Sequence, residues 1–391
     1  MLKVRLIAAI LFLLIIGTLG IGASFYARGY RFDISSFKFL PNGILVVKSD
    51  PTGAQILVDG NLKGATDANI SLSPGEYDIT IQKNGYLTWQ KKLTIEKEVV
   101  TQIIPFLFKS VPSFSPITLT GAYNPVSSPD STKIAYYIPL SSAQADKTKV
   151  GLYILETVNL PIGFAKEPKM ITDGIQEGDT WSFSPNGQEI LLTTKAGVYL
   201  LNTNTFTPQA QRVNIASKLQ ITQTLWANEL KIKNTSLLKE LPDQYLNFFL
   251  RDTVNLSFSP DETKVMYTAS SSASFKPNLL KPLPGSSTQK ESREVLEGNT
   301  YVYDLKEDRN FLISEGKNTQ VSWFPNSINL VIAEEGRIVL ADYDGTNRQT
   351  IYQGSYVSPN AFSFASTTKI VFLTNLGSDS AIPNLYSLSL K

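Results

Sequence analysis

Residues 126–136 read VSSPDSTKIAY, and this stretch decides the fold because related stretches recur along the chain. The copies read WSFSPNGQEILL at 181–192, LSFSPDETKVMY at 256–267, VSWFPNSINLVI at 321–332 and, without the proline, FSFASTTKIVF at 362–372. In each copy an apolar run precedes a turn of the Ser-Pro-Asp type, and a second apolar run follows it. The pattern predicts two antiparallel strands joined by a tight turn.

A third strand is predicted after every one of these pairs, and a fourth strand after three of them. The third strands lie at 151–155, 197–201, 301–305, 337–341 and 385–388. The fourth strands, each followed or ended by Gly, lie at 171–174, 313–316 and 351–354. Repeats of about forty residues with four antiparallel strands are typical of β-propeller blades. We therefore predict a propeller over residues 117–391.

The last repeat ends after its third strand, so its blade lacks an outer strand. Residues 117–121, ITLTG, have the fourth-strand pattern but precede the first repeat. We predict that residues 117–121 pair with residues 384–390 and close the ring. Closure would remove open strand edges, which otherwise invite aggregation.

The number of blades stays open between five and six. Pro185 and Pro260 occupy the same place in two successive copies but lie nearly two repeats apart. Residues 219–250 therefore hold either a degenerate sixth blade around Trp226 or an insertion. Pro242, followed by apolar residues at helical spacing, predicts a short amphipathic helix there. Residues 270–293, rich in Ser, Pro and Lys, predict a long loop between two strands of their blade.

These repeats resemble the blades of the TolB-like and WD40-like propellers. Residues 340–348, LADYDGTNR, are similar to the third strand and following hairpin of that family. The resemblance covers residues 117–391. It implies a ring of blades that binds partners through the loops around the mouth of its central channel.

A smaller set of strands precedes the repeats. The β-rich runs lie at 44–47, 54–58, 77–81 and 93–95, and they are separated by Gly-containing turns such as Asp59-Gly60 and Asn84-Gly85. Glycine supplies the positive φ angle that tight hairpins require. Strands at this spacing predict a small antiparallel β-sandwich.

The same region resembles a PEGA domain. The matching residues are SDPTGAQILVDG at 49–60, GAT at 64–66, LSPGEY at 72–77 and GY at 85–86. Asp67 departs from the pattern, because a proline often follows the threonine in that family. The resemblance covers residues 43–110. It implies a small immunoglobulin-like β fold, often found in bacterial and archaeal envelope proteins, and it implies no catalytic activity.

Residues 6–26, LIAAILFLLIIGTLGIGASFY, form an uncharged apolar run. As a helix, the run would match the roughly 30 Å hydrocarbon core of a bilayer. A cleaved signal peptide usually has a shorter apolar region, and the best cleavage site here, Gly22-Ala23-Ser24, lies at its far end. We therefore favour an uncleaved, membrane-spanning signal anchor. Lys3 and Arg5 would hold the N-terminus in the cytoplasm and leave the bulk of the chain outside it.

The expected fold class is mainly β: a transmembrane helix, a PEGA-type sandwich and a propeller of five to six four-stranded blades. The expected organisation is a cytoplasmic tail (1–5), the anchor (6–26), a spacer (27–42), the sandwich (43–110), a linker (111–116) and the propeller (117–391).

The composition of the 391 residues excludes several classes of function. The chain has no Cys and no His, so disulfides, zinc fingers, cysteine nucleophiles and Ser-His-Asp triads are impossible. Lys3 and Arg5 account for the whole formal net charge of +2. The remainder is neutral, and we expect no nucleic-acid partner.

Few residues suggest chemistry. Residues 342–347, DYDGTN, have the oxygen-ligand spacing of a calcium loop, but an Asp-Gly hairpin turn explains them without a metal. Two carboxylate pairs, Glu177 with Asp179 and Glu334 with Glu335, could serve as acid and base on a propeller face. Surface carboxylates are mostly solvated, so we predict no catalytic residue, no metal and no cofactor.

The sequence therefore predicts a non-enzymatic, membrane-anchored protein of the cell envelope. Its propeller would be a platform that binds or scaffolds a protein or a glycan, with an envelope protein or a cell-wall polymer as the expected partner. The alternative is a glycosidase or lyase that uses carboxylates alone on the propeller face.

Overall fold

The computed structural model describes residues 2–27, 30–33, 38–140, 147–158, 167–276, 288–316, 319–365, 369–378 and 382–391. The chain divides into two compact units. The first comprises Met1–Lys109 with Lys281–Gln289, and the second comprises Ser110–Leu280 with Lys290–Lys391.

The N-terminal helix α1 spans Leu2–Ala27. In the part of the chain that the structure describes, we find no helix with the length and apolarity that crossing a membrane requires. The predicted transmembrane anchor at 6–26 and the single-pass localisation built on it are therefore wrong.

The rest of the first unit is made of strands. Their bounds are β1 (Arg31–Asp33), β2 (Lys38–Leu40), β3 (Gly43–Val47), β4 (Gln55–Val58), β5 (Asn61–Ala65), β6 (Ala68–Leu72), β7 (Gly75–Gln82), β8 (Trp89–Ile95) and β9 (Val100–Ile103). β1 and β2 pair with each other inside the predicted spacer. The other seven form two sheets, in the orders β6-β3-β9 and β5-β4-β7-β8. The predicted sandwich has the predicted strands.

Alternation of buried and exposed residues builds the core of the sandwich. Leu45 and Val47 on β3 and Ile79 and Ile81 on β7 are fully buried, while the residues between them are partly exposed. This two-residue period places one face of each sheet in the core. One pairing differs from the antiparallel prediction, because β3 and β9 run parallel. They belong to opposite ends of the domain, so no hairpin constrains their direction.

The second unit contains, among the described residues, five antiparallel sheets of three or four strands, which we number as blades 1 to 5. Blade 1 is β11 (Tyr123–Ser127), β12 (Lys133–Ile138), β13 (Gly151–Glu156) and β14 (Lys169–Asp173); blade 2 is β15 (Thr180–Phe183), β16 (Glu189–Thr194) and β17 (Gly197–Asn202). Blade 3 is β18 (Thr253–Phe258), β19 (Lys264–Ala269), β22 (Thr300–Asp304) and β23 (Arg309–Ser314). Blade 4 is β24 (Gln320–Trp323), β25 (Asn329–Glu334), β26 (Arg337–Asp342) and β27 (Gln349–Gln353); blade 5 is β28 (Ala361–Ser363), β29 (Lys369–Thr374), β30 (Asn384–Ser389) and β10 (Ser113–Pro116).

The blades pack face to face through apolar side chains. One buried cluster joins blades 1 and 2, a second joins blades 3 and 4, and a third joins blades 1 and 5. Blades 4 and 5 meet where Ser363 Oγ donates a hydrogen bond of 2.9 Å to the carbonyl of Trp323. A blade covered on both faces has apolar residues on both faces, which explains the nearly continuous apolar runs of strands such as β25.

The N-terminal segment of the second unit completes blade 5, as predicted, but with a different register. β10 pairs antiparallel with β30, and Ser113 lies opposite Ser389. The pairing strand is therefore Ser113–Pro116, inside the predicted linker at 111–116, and not residues 117–121. The predicted strand lies just beyond it, where Thr118 and Leu385 exchange backbone and side-chain hydrogen bonds.

Two helices occupy the region that the sequence left open between a sixth blade and an insertion. α2 spans Leu219–Leu238 and α3 spans Asp243–Arg251, so the region is an insertion. Pro242 stands at the N-cap of α3, as the predicted short helix requires. Blade 2 has three full strands, and a single bridge between Tyr199 and Asn214 stands where its fourth would be.

Helix α3 covers a face of blade 3. Its aromatic residues Tyr245, Phe248 and Phe249 are buried against Tyr267 and other blade 3 side chains. The opposite face of this blade packs on blade 4. An aromatic helix therefore covers one face of blade 3, whereas blades 1, 4 and 5 have a neighbouring blade on each face. The predicted loop at 270–293 follows β19, and residues 277–287 of it lie outside the described residues. The loop contains β20 (Ala273–Ser274), which pairs with β21 (Glu294–Val295) directly after the loop.

The recurring Ser-Pro-Asp turn is held by the side chain of its serine. In blade 1, Ser128 Oγ accepts a 3.0 Å hydrogen bond from the Lys133 backbone N–H and donates one of 2.6 Å to Asp130. Ser184 and Ser259 make the equivalent bonds in blades 2 and 3. Each of these serines is nearly fully buried, so the turn satisfies its own buried polar groups.

In two of these turns an aspartate carboxyl makes the stability of the fold depend on pH in the acid range. Burial opposes ionisation of Asp130 and Asp261, but hydrogen bonds from the turn serine and threonine outweigh it and lower the pKa of both carboxyls. A carboxyl with a lowered folded-state pKa stabilises the fold above its unfolded pKa of about 3.9, and this stabilisation is lost as the pH falls through the folded value.

We therefore expect the variant carrying Asp130→Asn and Asp261→Asn to unfold more easily than the native chain at pH 7, by about 1 kcal/mol because both sites are partly exposed. The difference should shrink as the pH falls below the unfolded pKa of about 3.9 and through the lowered folded-state pKa. Urea titrations at several pH values measure it, with Glu262→Gln, an exposed carboxyl of the same turn, as the control. A constant difference across the range would contradict the proposed linkage.

Candidate functional site

A group of aromatic and acidic side chains lies where blades 1 and 2 meet. Tyr123 begins β11 and lies opposite Tyr137 near the end of β12, because the two strands are antiparallel. Trp181 is the second residue of β15, and β11 and β15, the first strands of their blades, contact each other. The starts of β11 and β15 and the end of β12 therefore bring these three aromatic side chains to the same end of their blades.

The rings contact one another closely. The centroids of Tyr123 and Tyr137 lie 5.6 Å apart, and Trp181 approaches Tyr137 edge to face, also at 5.6 Å. Tyr137 and Trp181 are buried in the cluster between the blades, and Tyr123 is partly exposed. Aromatic pairs in this geometry stabilise a fold by about 0.5–1.5 kcal/mol more than the burial of their surface alone. The contacts at the blade junction therefore hold the three rings in place.

Several polar groups of these rings make no hydrogen bond among the described residues. The indole N–H of Trp181 is buried and has no hydrogen-bond partner among the described residues. Within the same part of the chain, neither the Tyr123 nor the Tyr137 hydroxyl makes a hydrogen bond. A buried N–H without an acceptor costs about 1–3 kcal/mol, so it calls for a water molecule or a ligand group that can accept.

Two carboxylates interact electrostatically with the Tyr137 hydroxyl. Asp179 is buried, and its Oδ2 accepts a 2.9 Å hydrogen bond from the Gln176 backbone N–H, whereas Glu177 is exposed. Burial raises the pKa of Tyr137, and the Glu177 carboxylate, the Tyr123 hydroxyl and the Asp179 carboxylate raise it further. We call Tyr123, Tyr137, Glu177, Asp179 and Trp181 the acidic–aromatic cluster.

Arg212 is a cation that interacts electrostatically with this cluster. Burial lowers the pKa of its guanidinium, while Asp173, Tyr199 and Asp179 act in the opposite direction. Its Nε donates to Thr172 Oγ1 at 2.9 Å and its NH2 group donates to the Asp173 carbonyl. Arg212 therefore fixes the outer strand of blade 1, and it also interacts electrostatically with Asp179.

The sequence names Glu177 and Asp179 as a carboxylate pair, and both contribute to the raised pKa of Tyr137. The other pair is placed differently. Glu334 is paired with Arg337 and with Arg348, the latter at 2.9 Å, so its charge is already compensated. Glu335 stands in the turn between β25 and β26.

The calcium-like loop at 342–347 is a turn between β26 and β27. The Asp342 carboxylate accepts hydrogen bonds of 2.9 Å from the side-chain amides of Asn329 and Asn347. Asp344 accepts one of 2.6 Å from Thr346 Oγ1. In the part of the chain that the structure describes, no three acidic side chains are placed to hold a metal ion.

A cavity of about 380 Å³ lies beside helix α3. Tyr245, Phe248, Asp252 and Phe275 are among the residues that line it. The Tyr245 hydroxyl already donates to the Lys276 carbonyl at 2.8 Å. The acidic–aromatic cluster is the stronger candidate, because it combines a buried free N–H with two carboxylates.

Sequence reasoning missed the aromatic half of this cluster. Trp181 was read as an ordinary strand residue of the repeat, and Tyr123 and Tyr137 had no distinguishing pattern. A signal was present, since the strand position of Trp181 is held by Leu256 and Val321 in the next copies. A donor-bearing ring among aliphatic residues at an otherwise apolar position marks a possible site.

A comparison with protein families identifies the first domain. Residues 42–107 match the PEGA domain. The predicted resemblance is thus confirmed, and the sandwich of β3–β9 is the fold of this PEGA domain. No curated protein matches the chain.

Solved structures give weaker matches. Putative TolB from Agrobacterium tumefaciens is 14% identical, with 68% of this chain and 72% of that chain covered and a TM-score of 0.22. The Dos1 propeller is 12% identical, with 92% and 81% covered and a TM-score of 0.23. An acylaminoacyl peptidase from Pyrococcus horikoshii is 10% identical, with 69% and 38% covered and a TM-score of 0.22. The propeller assignment rests on the strands and packing of the blades themselves and not on these matches.

Proposed function

We propose that this chain is a binding or scaffolding protein whose ring of blades holds a protein partner at the acidic–aromatic cluster. The observation that carries the proposal is the buried Trp181 N–H, which lacks a partner among the described residues. A group of this kind costs stability in the free protein and recovers it when a ligand supplies an acceptor. The partner that we expect is a protein such as one of the cell envelope; a cell-wall polymer is the other class of ligand that the sequence suggested.

The position of the cluster supports binding. It lies where the first strands of blades 1 and 2 begin. The packing of these two blades holds the side chains in position before any ligand arrives. Preorganised groups bind more tightly because less conformational entropy is lost on association. Tyrosine and tryptophan are also the residues that most often dominate binding interfaces.

Binding is favoured over catalysis by the use of the carboxylates. Glu334 is neutralised by two arginines, and Asp179 holds a backbone N–H of its own loop. A carboxylate-only glycosidase needs one protonated and one ionised carboxyl facing a sugar across about 5–10 Å. The binding hypothesis needs no such division of roles between Glu177 and Asp179.

The proposal is tested by affinity capture from a lysate of the source cells with the full chain as bait. We expect a protein that the native chain retains and that the variants Trp181→Phe and Tyr137→Phe lose, since both variants keep a ring but remove a polar group. Quantitative mass spectrometry measures retention, and a loss of about tenfold corresponds to roughly 1.4 kcal/mol, within the range for one lost hydrogen bond.

Tyr86→Phe is the matched control, because Tyr86 lies in the PEGA domain, away from the cluster residues in sequence and in a separate core. It should retain the same partners as the native chain. Captured proteins that respond equally to all three variants, or to none, would contradict a role for the cluster.

A further inference from the structure

We propose that helix α2 is a dimer interface and packs against α2 of a second copy of this chain. The inference goes beyond the proposed binding function, because α2 (Leu219–Leu238) contains no residue of the acidic–aromatic cluster. It rests on three features of the helix: its exposure, an apolar stripe along one face, and an asparagine in the middle of that stripe.

Helix α2 makes few contacts with the rest of its own chain. It has 20 residues, of which only Leu238, at its C-terminal end, is buried. Its principal contacts are with the helical turn Ala216–Lys218 just before it and with α3 just after it. Helices in proteins owe most of their stability to the packing of an apolar face. The described residues leave the middle of α2 without such packing, so another molecule is needed to supply it.

An apolar stripe runs along one accessible side of α2. Ile221, Leu225, Asn228 and Ile232 follow one another at spacings of four, three and four residues, and a turn of about 100° per residue places all four on one face. Ile221 and Leu225 are each 62% exposed, and Ile232 is 72% exposed. This spacing is that of the contact seam between two packed helices. The stripe therefore has the form of a helix-packing face that is open to solvent.

Asn228 identifies a second copy of the chain as the partner. Its side-chain amide makes no hydrogen bond among the described residues, and an amide offers both donors and an acceptor. Once covered by apolar side chains, the amide needs partners of both kinds, and the amide of another Asn228 supplies them. A purely apolar partner surface would leave it unsatisfied. The stripe is therefore complementary to itself.

The position of Asn228 also suits a two-fold axis. Asn228 stands at the middle of Leu219–Leu238, so an axis beside it aligns the two helices antiparallel over their whole length. Leu225 then lies near Ile232 of the second copy, and the opposed helix dipoles attract each other. Each copy uses the same surface in such a contact, so the assembly closes as a dimer and does not grow into a filament.

Charge and area indicate a weak dimer. The charged residues of α2 are Glu229, Lys231 and Lys233, so two copies repel each other only slightly. Each aliphatic side chain of the stripe can bury on the order of 100 Å², and the six of a dimer bury about 600 Å² before flanking side chains are counted. A standard interface buries at least roughly 1,200 Å². We expect a dissociation constant on the order of 10–100 μM.

Sedimentation velocity of the full chain, at concentrations from about 1 to 300 μM, measures this constant. We expect Leu225→Ser to raise it at least about tenfold, because the change removes two apolar side chains from each dimer. Leu230→Ser is the matched control and should leave the constant unchanged. Leu230 is also exposed, but it stands five residues further on and therefore about 140° around the helix. Both variants leave α1 intact, so any association through α1 cancels in the comparison.

Cysteine cross-linking tests the two-fold axis, and the chain has no cysteine of its own to interfere. We expect Asn228→Cys to give a disulfide-linked dimer on mild oxidation. Residues beside a two-fold axis meet their own copies, and a disulfide needs Cβ atoms about 3.5–4.5 Å apart. Gln223→Cys, also exposed but on the opposite face of α2, should stay monomeric under the same conditions. Non-reducing gel electrophoresis measures both variants.

A chain that stays monomeric over this concentration range would overturn the proposal. Equal dissociation constants for the two leucine variants, or equal cross-linking of the two cysteine variants, would do the same. If a monomeric chain captures a different protein, and Leu225→Ser loses it while Leu230→Ser retains it, the stripe binds that protein and the second copy is ruled out. None of these variants alters the acidic–aromatic cluster, so the proposed binding function stands or fails separately.

Discussion

Removing residues 385–391 should unfold the ring of blades. These residues form most of β30, which lies between β10 and β29 in blade 5 and joins the two ends of the second unit. Leu385, Leu388 and Leu390 are almost completely buried. Burial of each such side chain stabilises by about 1.5–3 kcal/mol, and a whole domain is stable by only about 5–15 kcal/mol.

Thermal unfolding followed by circular dichroism measures this effect. We expect the truncated chain to lose the transition of the propeller and to keep that of the PEGA domain, which has its own buried core. Deletion of Lys391 alone is the control, since this residue is exposed. The point variant Leu385→Ala should retain the fold but lose about 2–5 kcal/mol.

Native-like cooperative unfolding of the second unit after the seven-residue deletion would show that β30 does not close the ring. A deletion of Lys391 that is as damaging as the longer one would point to an effect of the terminus itself.

Phe249→Ala should destabilise the second unit by about 3–5 kcal/mol. Phe249 is 1% exposed, and its ring lies 5.1 Å from that of Tyr267 and 5.5 Å from that of Tyr303. If α3 replaces a neighbouring blade for blade 3, loss of this ring leaves a cavity over the blade. A freely attached helix would tolerate the change.

Urea denaturation with a global fit to the two units measures the loss. Phe206→Ala is the matched control: Phe206 is 49% exposed, and its removal should cost less than about 0.5 kcal/mol. Phe249→Leu keeps most of the apolar volume and should lie between the two. Equal stabilities for Phe249→Ala and Phe206→Ala would refute the role of α3 as a blade substitute.

Much of the architecture could be predicted from local pattern. The Ser-Pro-Asp turns are specified by residues a few positions apart, as the bond from Ser128 to Asp130 illustrates. The PEGA strands are likewise bounded by their own turns. Ring closure was predicted because a blade that lacks a strand leaves an open edge. The predicted closing strand, 117–121, lies four residues beyond the observed strand, Ser113–Pro116. Pairing across the whole domain depends on packing that no local pattern encodes.

The candidate site was predicted only in its charged half. Glu177 and Asp179 stand out as a carboxylate pair in any reading of the chain, whereas Tyr123, Tyr137 and Trp181 are typical strand residues in three different strands. Their meeting depends on the antiparallel register of β11 with β12 and on the contact of β11 with β15.

The sequence by itself determined the repeating blades, the PEGA domain and the absence of Cys and His chemistry, because turns, strand alternation and composition are local properties. It misjudged the N-terminal run, whose apolarity alone suggested a membrane span. Only the tertiary structure decided that residues 219–251 form α2 and α3 and not a sixth blade, and that Ser113–Pro116 completes blade 5. It also decided that the Trp181 indole N–H is buried without an acceptor among the described residues, because burial and hydrogen-bond partners are set by contacts between residues far apart in the chain.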